Sequence, residues 1–184
     1  MPRRPNPAVE GRILEAARKL WGKGGEEALS MRSIARMART NTPAVYRRFK
    51  NRKDIVRALV ESYQRELFRE LEVCGSLPEL LDRVMDFALR QPREYELMTS
   101  GMLARVTKSR PNVEFVILKV TEWWGGSPDE NRSLVMALWS MTHGLIMLKI
   151  SGTLPEADFP GALVAFHESV SLLIENRETL RSKK

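Results

Sequence analysis

The sequence predicts an all-α protein with about nine helices, and three patterns lead to this fold class. Apolar residues recur at spacings of three and four in every long segment, which is the period of a helix with one buried face. No segment alternates strictly between apolar and polar residues, as a half-buried strand would. Helix-start signals also repeat, because serine, an early proline and an acid open segments at Ser76 and Ser127.

Four helices are predicted in the first part of the chain. The first covers about 7–22, and the Gly24-Gly25 pair is expected to end it. Two short helices follow Ser30 and Asn41, and a fourth, long helix covers about 51–73.

Five more helices are predicted after the long one. Their expected limits are about 77–90, 93–103, 113–124, 128–152 and 159–178, the last of them capped by Asp158. The expected domain organisation is a first domain over 7–53, a connecting helix over 54–74 and a second domain over 75–180.

The net charge of +7 is concentrated near the N-terminus. Residues 1–57 contain 15 Lys and Arg against 5 Asp and Glu, whereas residues 58–184 contain 15 against 18. A basic region of this kind attracts a polyanion and gains affinity by releasing its counterions, although a solvated charged face is the alternative. The first domain is therefore the expected site of nucleic-acid binding.

Cysteine usage and hydropathy predict a cytoplasmic protein without a membrane segment. Cys74 has no second cysteine with which to form an internal disulfide, as is usual in a reducing compartment. The N-terminus has no signal-type apolar stretch. The most apolar run, Leu134–Ile150, is shorter than the ~20 residues that a spanning helix needs and contains His143 and Lys149.

The composition argues against an enzyme. The chain has two histidines, one cysteine, no glycine-rich phosphate loop and no spaced cluster of metal ligands. No catalytic residue, metal or cofactor is therefore predicted.

Residues 30–49 form a predicted helix-turn-helix. Only Arg39-Thr40-Asn41 separates its two short helices, and such a turn holds the second helix at a steep angle that suits a major groove. Small and basic residues are expected to be exposed on this second helix, with Arg47 able to read guanine and Tyr46 and Arg52 placed toward phosphates. A small helical hairpin with a solvated face is the alternative. The predicted DNA-binding residues are Ser30, Arg32, Asn41, Thr42, Pro43, Ala44, Tyr46, Arg47, Arg48 and Arg52.

Four sequence blocks resemble the N-terminal domain of the TetR family: Ile13–Ala17, Ser30–Ala35, Val45–Phe49 and Asn51–Ile55. The resemblance covers residues 9–60 and implies a dimeric DNA-binding regulator, usually a repressor. It also implies that Ser30, Tyr46 and Arg52 contact phosphates and that the recognition helix begins at Thr42. Two positions depart from the family pattern, because Arg39 stands in place of a turn glycine and Arg52 in place of a lysine. A non-glycine residue at a positive φ is costly, so the turn is expected to be slightly reshaped.

The second domain contains Trp139-Ser140-Met141-Thr142-His143-Gly144, which resembles the Trp-x-x-x-His-Gly motif of one C-terminal subgroup of this family. The eighth helix has a stripe of small residues that allows close helix approach, and the ninth has apolar residues at helical spacing. Two such helices per chain can pair into a four-helix bundle, although both stripes can instead serve the internal core. The predicted dimer interface comprises Ala137, Ser140, Gly144, Phe159, Leu163, Phe166, Val170 and Leu173.

Large, adaptable side chains are available to line a pocket among helices five to eight. The predicted ligand-binding residues are Met98, Met102, Trp123, Trp139, His143 and Met147, and Trp124 and Met136 are further pocket candidates. Such residues are also ordinary core residues. The expected function is a repressor of a palindromic operator that a small hydrophobic ligand releases. The alternative is a DNA-binding regulator controlled by a protein partner.

Overall fold

The computed structural model describes residues 7–99 and 111–180, and every regular element in these two ranges is a helix. The all-α prediction is confirmed. Ten helices are described: α1 Pro7–Ala28, α2 Met31–Met37, α3 Thr42–Tyr46, α4 Arg52–Glu72, α5 Leu77–Arg90, α6 Pro92–Thr99, α7 Pro111–Trp124, α8 Pro128–Ile150, α9 Phe159–Glu175 and α10 Arg177–Leu180. The predicted end of the sixth helix and Met102 lie outside the described residues.

The predicted capping residues begin several of these helices. Ser30 Oγ accepts a hydrogen bond from the Ser33 amide at 3.0 Å, and Asn41 Oδ1 accepts one from the Ala44 amide at 2.9 Å. Ser127 forms a reciprocal capping box with Glu130 at the start of α8. Each cap satisfies backbone N–H groups that have no partner inside the helix, and this is why the short helices begin where they do.

Two helix ends differ from the sequence prediction. Asp158 precedes α9, but its side chain makes no capping hydrogen bond, so its predicted capping role is wrong. The chain leaves the helix at Asn176, and α10 adds a single further turn. α9 therefore ends at Glu175, three residues before the predicted limit.

The glycine pair interrupts α1 as predicted. Gly24 and Gly25 have non-helical backbone angles, and Gly25 combines φ 59° with ψ −140°. Only glycine adopts that combination without a steric penalty. The last turn, Glu26–Ala28, therefore leaves the axis of the preceding helix.

The described residues form two compact units. The first comprises 7–66 and 93–99, and the second comprises 67–92 and 111–180, so that α4 contributes residues to both. In the first unit α2 packs against α1 and α3 around side chains that have no solvent exposure, among them Ile13, Ile34 and Val45. Trp21 Nε1 donates a hydrogen bond to the Arg93 carbonyl at 3.1 Å, which joins α1 to α6.

α8 is the central helix of the second unit and packs against α5, α7, α9 and α10. The turn before α8 is held by Asn131, which is 1% exposed and whose Nδ2 lies 3.1–3.3 Å from the oxygens of Thr121, Gly125 and Ser127. Among the described residues, α8 alone is long and apolar enough to cross a membrane by composition. One such helix is weak evidence for a membrane protein, and this one packs against four helices of its own unit.

Arg39 is the one non-glycine residue with a positive φ in the described ranges, at 51°. It therefore adopts the left-handed conformation of the glycine that it replaces. We expect Arg39→Gly to raise the free energy of unfolding by about 0.5 to 1 kcal/mol, because the Cβ penalty is removed at a modest entropic cost. Arg39→Ala is the matched control, since it removes the same charge and retains the Cβ. Urea unfolding compares them, and equal stabilities for the two variants would contradict the predicted strain.

Candidate functional site

The helix-turn-helix consists of α2, residues 38–41 and α3. Ala44 and Val45 hold α3 against the core, with 5% and 0% exposure, whereas Tyr46 on the opposite face is 52% exposed. A five-residue helix is too short to be stable alone, so this burial and the Asn41 cap maintain it. The outer face of α3 is therefore presented on a rigid support.

Most of the predicted DNA-binding residues are at the surface of this unit. The exposed ones are Ser30, Arg32, Asn41, Pro43, Tyr46, Arg47 and Arg52. Thr42 is half-buried. The prediction that Ala44 is exposed is wrong, because its methyl group packs into the core beside Val45.

Arg48 is also less exposed than predicted. It is half-buried, and its Nη1 donates to the Ala44 carbonyl at 3.3 Å, one turn back along the chain. This contact satisfies a carbonyl at the end of α3. Arg48 therefore helps to terminate the recognition helix, whereas Arg47 beside it projects its side chain outward.

The surface contains further cations that the sequence prediction did not include. Arg36, Arg39, Lys50 and Lys53 are exposed on or beside the two short helices. The excess of positive charge in residues 1–57 indicated that further cations would lie in this unit. The helical periodicity of the sequence did not show which of them would be exposed near the two short helices. With Arg32 and Arg47 they make this unit strongly basic, which suits a phosphate backbone.

A second candidate site lies in the second unit, at Trp139 and His143. The two rings stack with centroids 5.3 Å apart and planes within 5° of parallel. Burial lowers the pKa of His143 from its ordinary value of 6.5, so the ring is held neutral at pH 7. A flat, partly buried pair with a neutral polar edge can stack on a ligand ring and exchange a hydrogen bond with it.

The other predicted ligand-binding residues do not all lie in the same unit as the stacked pair. Trp123 and Met147 are half-buried in the second unit, as are both members of the stacked pair. Met98 belongs to the first unit and is 3% exposed. Met136 is 38% exposed on α8, and its role as a pocket residue stays a prediction. No group of three or more His, Cys, Asp or Glu that could hold a metal occurs in residues 7–99 and 111–180.

The small-residue stripe of α8 lies at the surface of the chain. Ala137 and Ser140 are exposed, and a Cβ placed on Gly144 would meet no atom within 4 Å from other elements among the described residues. Only 28% of the most apolar stretch of this helix is buried within the chain. The stripe therefore has room for a second helix.

The α9 part of the predicted interface needs correction. Phe166 and Val170 are 6% and 2% exposed, so they belong to the core of the second unit and have little surface left for a partner. Phe159, Leu163 and Leu173 are half-buried. Val164 and Leu172, which the prediction did not include, are 58% and 60% exposed. Helical spacing identified an apolar helix, but not which of its faces the chain itself covers.

Two models of known protein families match this chain. The model for bacterial regulatory proteins of the tetR family matches residues 13–59. The model for the tetracyclin repressor-like C-terminal domain matches residues 77–171, more than half of the chain. The chain belongs to the TetR family. It is therefore a DNA-binding transcriptional regulator, and the family resemblance of its N-terminal motifs is confirmed.

Solved structures with the TetR fold resemble nearly the whole chain. TetR from Acinetobacter baumannii AYE has 21% identity and a TM-score of 0.69, with 95% of this chain and 98% of that chain covered. A single-residue variant of that protein in complex with minocycline has 22% identity and a TM-score of 0.68, with the same coverage of both chains. The multidrug binding protein EbrR complexed with imidazole has 22% identity and a TM-score of 0.65, covering 94% and 93%. The chain has no significant sequence match among curated proteins.

Proposed function

We propose that this TetR-family regulator is a homodimeric, cytoplasmic repressor of a palindromic operator and that a small hydrophobic ligand releases it from DNA. The observation that carries the proposal is the rigidly supported face of α3, where Pro43, Tyr46 and Arg47 are exposed within a basic unit. Small residues let the helix approach base edges, and an arginine can form a bidentate contact with guanine. DNA binding without catalysis is the function that this arrangement supports.

The proposed dimer uses the exposed face of the second unit. On α8 this face combines the open backbone of Gly144 with apolar Met136 and Leu148, and on α9 it includes Val164 and Leu172. Exposed apolar side chains are unfavourable in water, so these residues would gain from association with a second copy. A twofold dimer matches a palindromic operator, because the two recognition helices must occupy equivalent half-sites.

The proposed ligand site centres on Trp139 and His143. Their parallel, partly buried rings offer a stacking surface, and the neutral imidazole adds one polar contact. Two structurally similar proteins are complexed with small molecules, minocycline and imidazole, which supports a small-molecule ligand here as well. Release would act through α4, which is continuous from Arg52 to Glu72 and belongs to both units. The second candidate, control by a protein partner, is favoured instead if no compound binds at the stacked rings.

Arg47→Ala tests the proposed base readout. Once a preferred operator has been selected from a random DNA pool, this variant is expected to bind it about 1 to 3 kcal/mol more weakly and to lose preference at one position. On unrelated DNA the same variant should lose much less binding affinity. Fluorescence anisotropy on both duplexes provides the measurement.

Arg52→Ala is the matched comparison, since it removes the same charge from a residue assigned to phosphate. It should weaken binding to every sequence similarly and flatten the salt dependence. If Arg47→Ala also weakens all sequences equally, Arg47 contacts only the backbone and the proposed readout is wrong.

A further inference from the structure

Arg52 is paired with a carboxylate of its own chain. Its Nη2 lies 2.5 Å from Oε1 of Glu26, and the two side chains are 48% and 47% exposed. Glu26 directly follows Gly25, whose positive φ kinks α1 before its last turn, and its carbonyl accepts a hydrogen bond from the Leu29 amide at 3.2 Å. The kinked last turn of α1 thus places a carboxylate on the guanidinium at the start of α4.

The pairing distinguishes Arg52 from other cations of the same surface. Arg32 and Arg47 have no carboxylate within 4 Å in the part of the chain that the structure describes. A guanidinium binds carboxylate and phosphate through the same fork of N–H donors. The position at which a phosphate would meet Arg52 is therefore already occupied by an anion in the free protein.

We propose that Glu26 competes with DNA phosphate for Arg52 and so lowers the affinity of the protein for all DNA sequences. The proposal rests on the phosphate contact assigned to Arg52 under the proposed function. A phosphate must displace the Glu26 carboxylate, which then remains close to the polyanion. Arg52 also contributes less counterion release while its charge is partly neutralised in the free protein. Glu26 thus determines affinity without contributing any sequence preference.

The opposite role for Glu26 is to orient Arg52 for its phosphate, and the two roles predict opposite signs. If Glu26 competes, its removal tightens DNA binding. If Glu26 orients Arg52, its removal weakens binding, because the arginine loses its fixed geometry. The sign of one substitution therefore decides between them.

Glu26→Gln is the test variant and Glu27→Gln is its matched control. Both remove one negative charge from adjacent exposed residues, but no ion pair is recorded for Glu27 in the described residues. Affinity is measured by anisotropy over a series of salt concentrations, on the selected operator and on an unrelated duplex. We expect Glu26→Gln to bind both duplexes about two- to fivefold more tightly than Glu27→Gln, the range for an exposed pair. Its salt dependence should also be steeper, by at most about one phosphate contact.

The same pair of variants in an Arg52→Gln background completes a double-mutant cycle. The difference between Glu26→Gln and Glu27→Gln should become smaller there, because no guanidinium is left to compete for and only the repulsion between the carboxylate and the polyanion remains. If Arg52→Gln weakens binding but Glu26→Gln is not tighter than Glu27→Gln, the competition is wrong and the phosphate contact stands. A gain of the same size without Arg52 also overturns the competition. If Arg52→Gln leaves affinity unchanged, the phosphate contact and the inference both fail. Thermal unfolding of each variant verifies that the fold is intact.

Discussion

Gly144→Leu is expected to give monomers and to weaken operator binding by about 100-fold or more, because the two half-sites are then no longer bound by a linked pair. A Cβ at this position meets no other atom of the described residues within 4 Å, so the substitution begins in open space at the surface of α8. It replaces glycine in a helix interior, which favours the helix by about 0.8 to 1 kcal/mol. If thermal unfolding shows that the variant is folded, a loss of the dimer therefore locates the interface on this face. Light scattering gives the mass, and anisotropy gives the operator affinity.

Gly11→Leu is the matched control for the oligomeric state. Gly11 is likewise a helical glycine at which an added Cβ would meet no other described atom within 4 Å, but it lies in α1 of the first unit. This variant should remain dimeric. A Gly144→Leu protein that has the mass of a dimer would place the interface on another face, and the proposed assembly would be wrong.

A compound that binds at the stacked rings is expected to weaken operator affinity by about 5- to 150-fold, the usual range of coupling between two sites. Such a compound is first found by thermal shift, since a ligand that binds only the folded state raises its stability. Trp139→Ala should bind it less tightly and should retain operator affinity in its presence. Trp139→Phe keeps a ring opposite His143 and should recover part of both effects. A compound that needs Trp139 for binding and yet leaves operator affinity unchanged would favour control by a protein partner.

Much of the fold could be predicted because its signals are local. A serine or asparagine that caps a helix acts on an amide three residues away, so Ser30, Asn41 and Ser127 located their helices directly. Asp158 has the right residue type, but its backbone lies in the helical region and its carboxylate makes no capping bond. A capping prediction therefore depends on backbone geometry that the residue type does not determine.

Burial of individual site residues was harder to predict, because it depends on contacts far away in sequence. Ala44 has the small side chain of a base-contacting residue, and only the packing of α3 against α2 removes it from the surface. Phe166 and Val170 have the spacing of an interface, but α9 uses them for contacts inside its own unit. The pairing of Glu26 with Arg52 spans 26 positions and had no sequence signal.

The short recognition helix divides its residues between two tasks. Ala44 and Val45 are fully committed to the core, whereas Pro43, Tyr46 and Arg47 project from the surface. Surface substitutions away from caps and core usually change stability by less than about 0.5 kcal/mol, so they seldom take a protein below its stability threshold. Operator preference can consequently evolve one exposed side chain at a time, while the helix that presents those side chains stays folded.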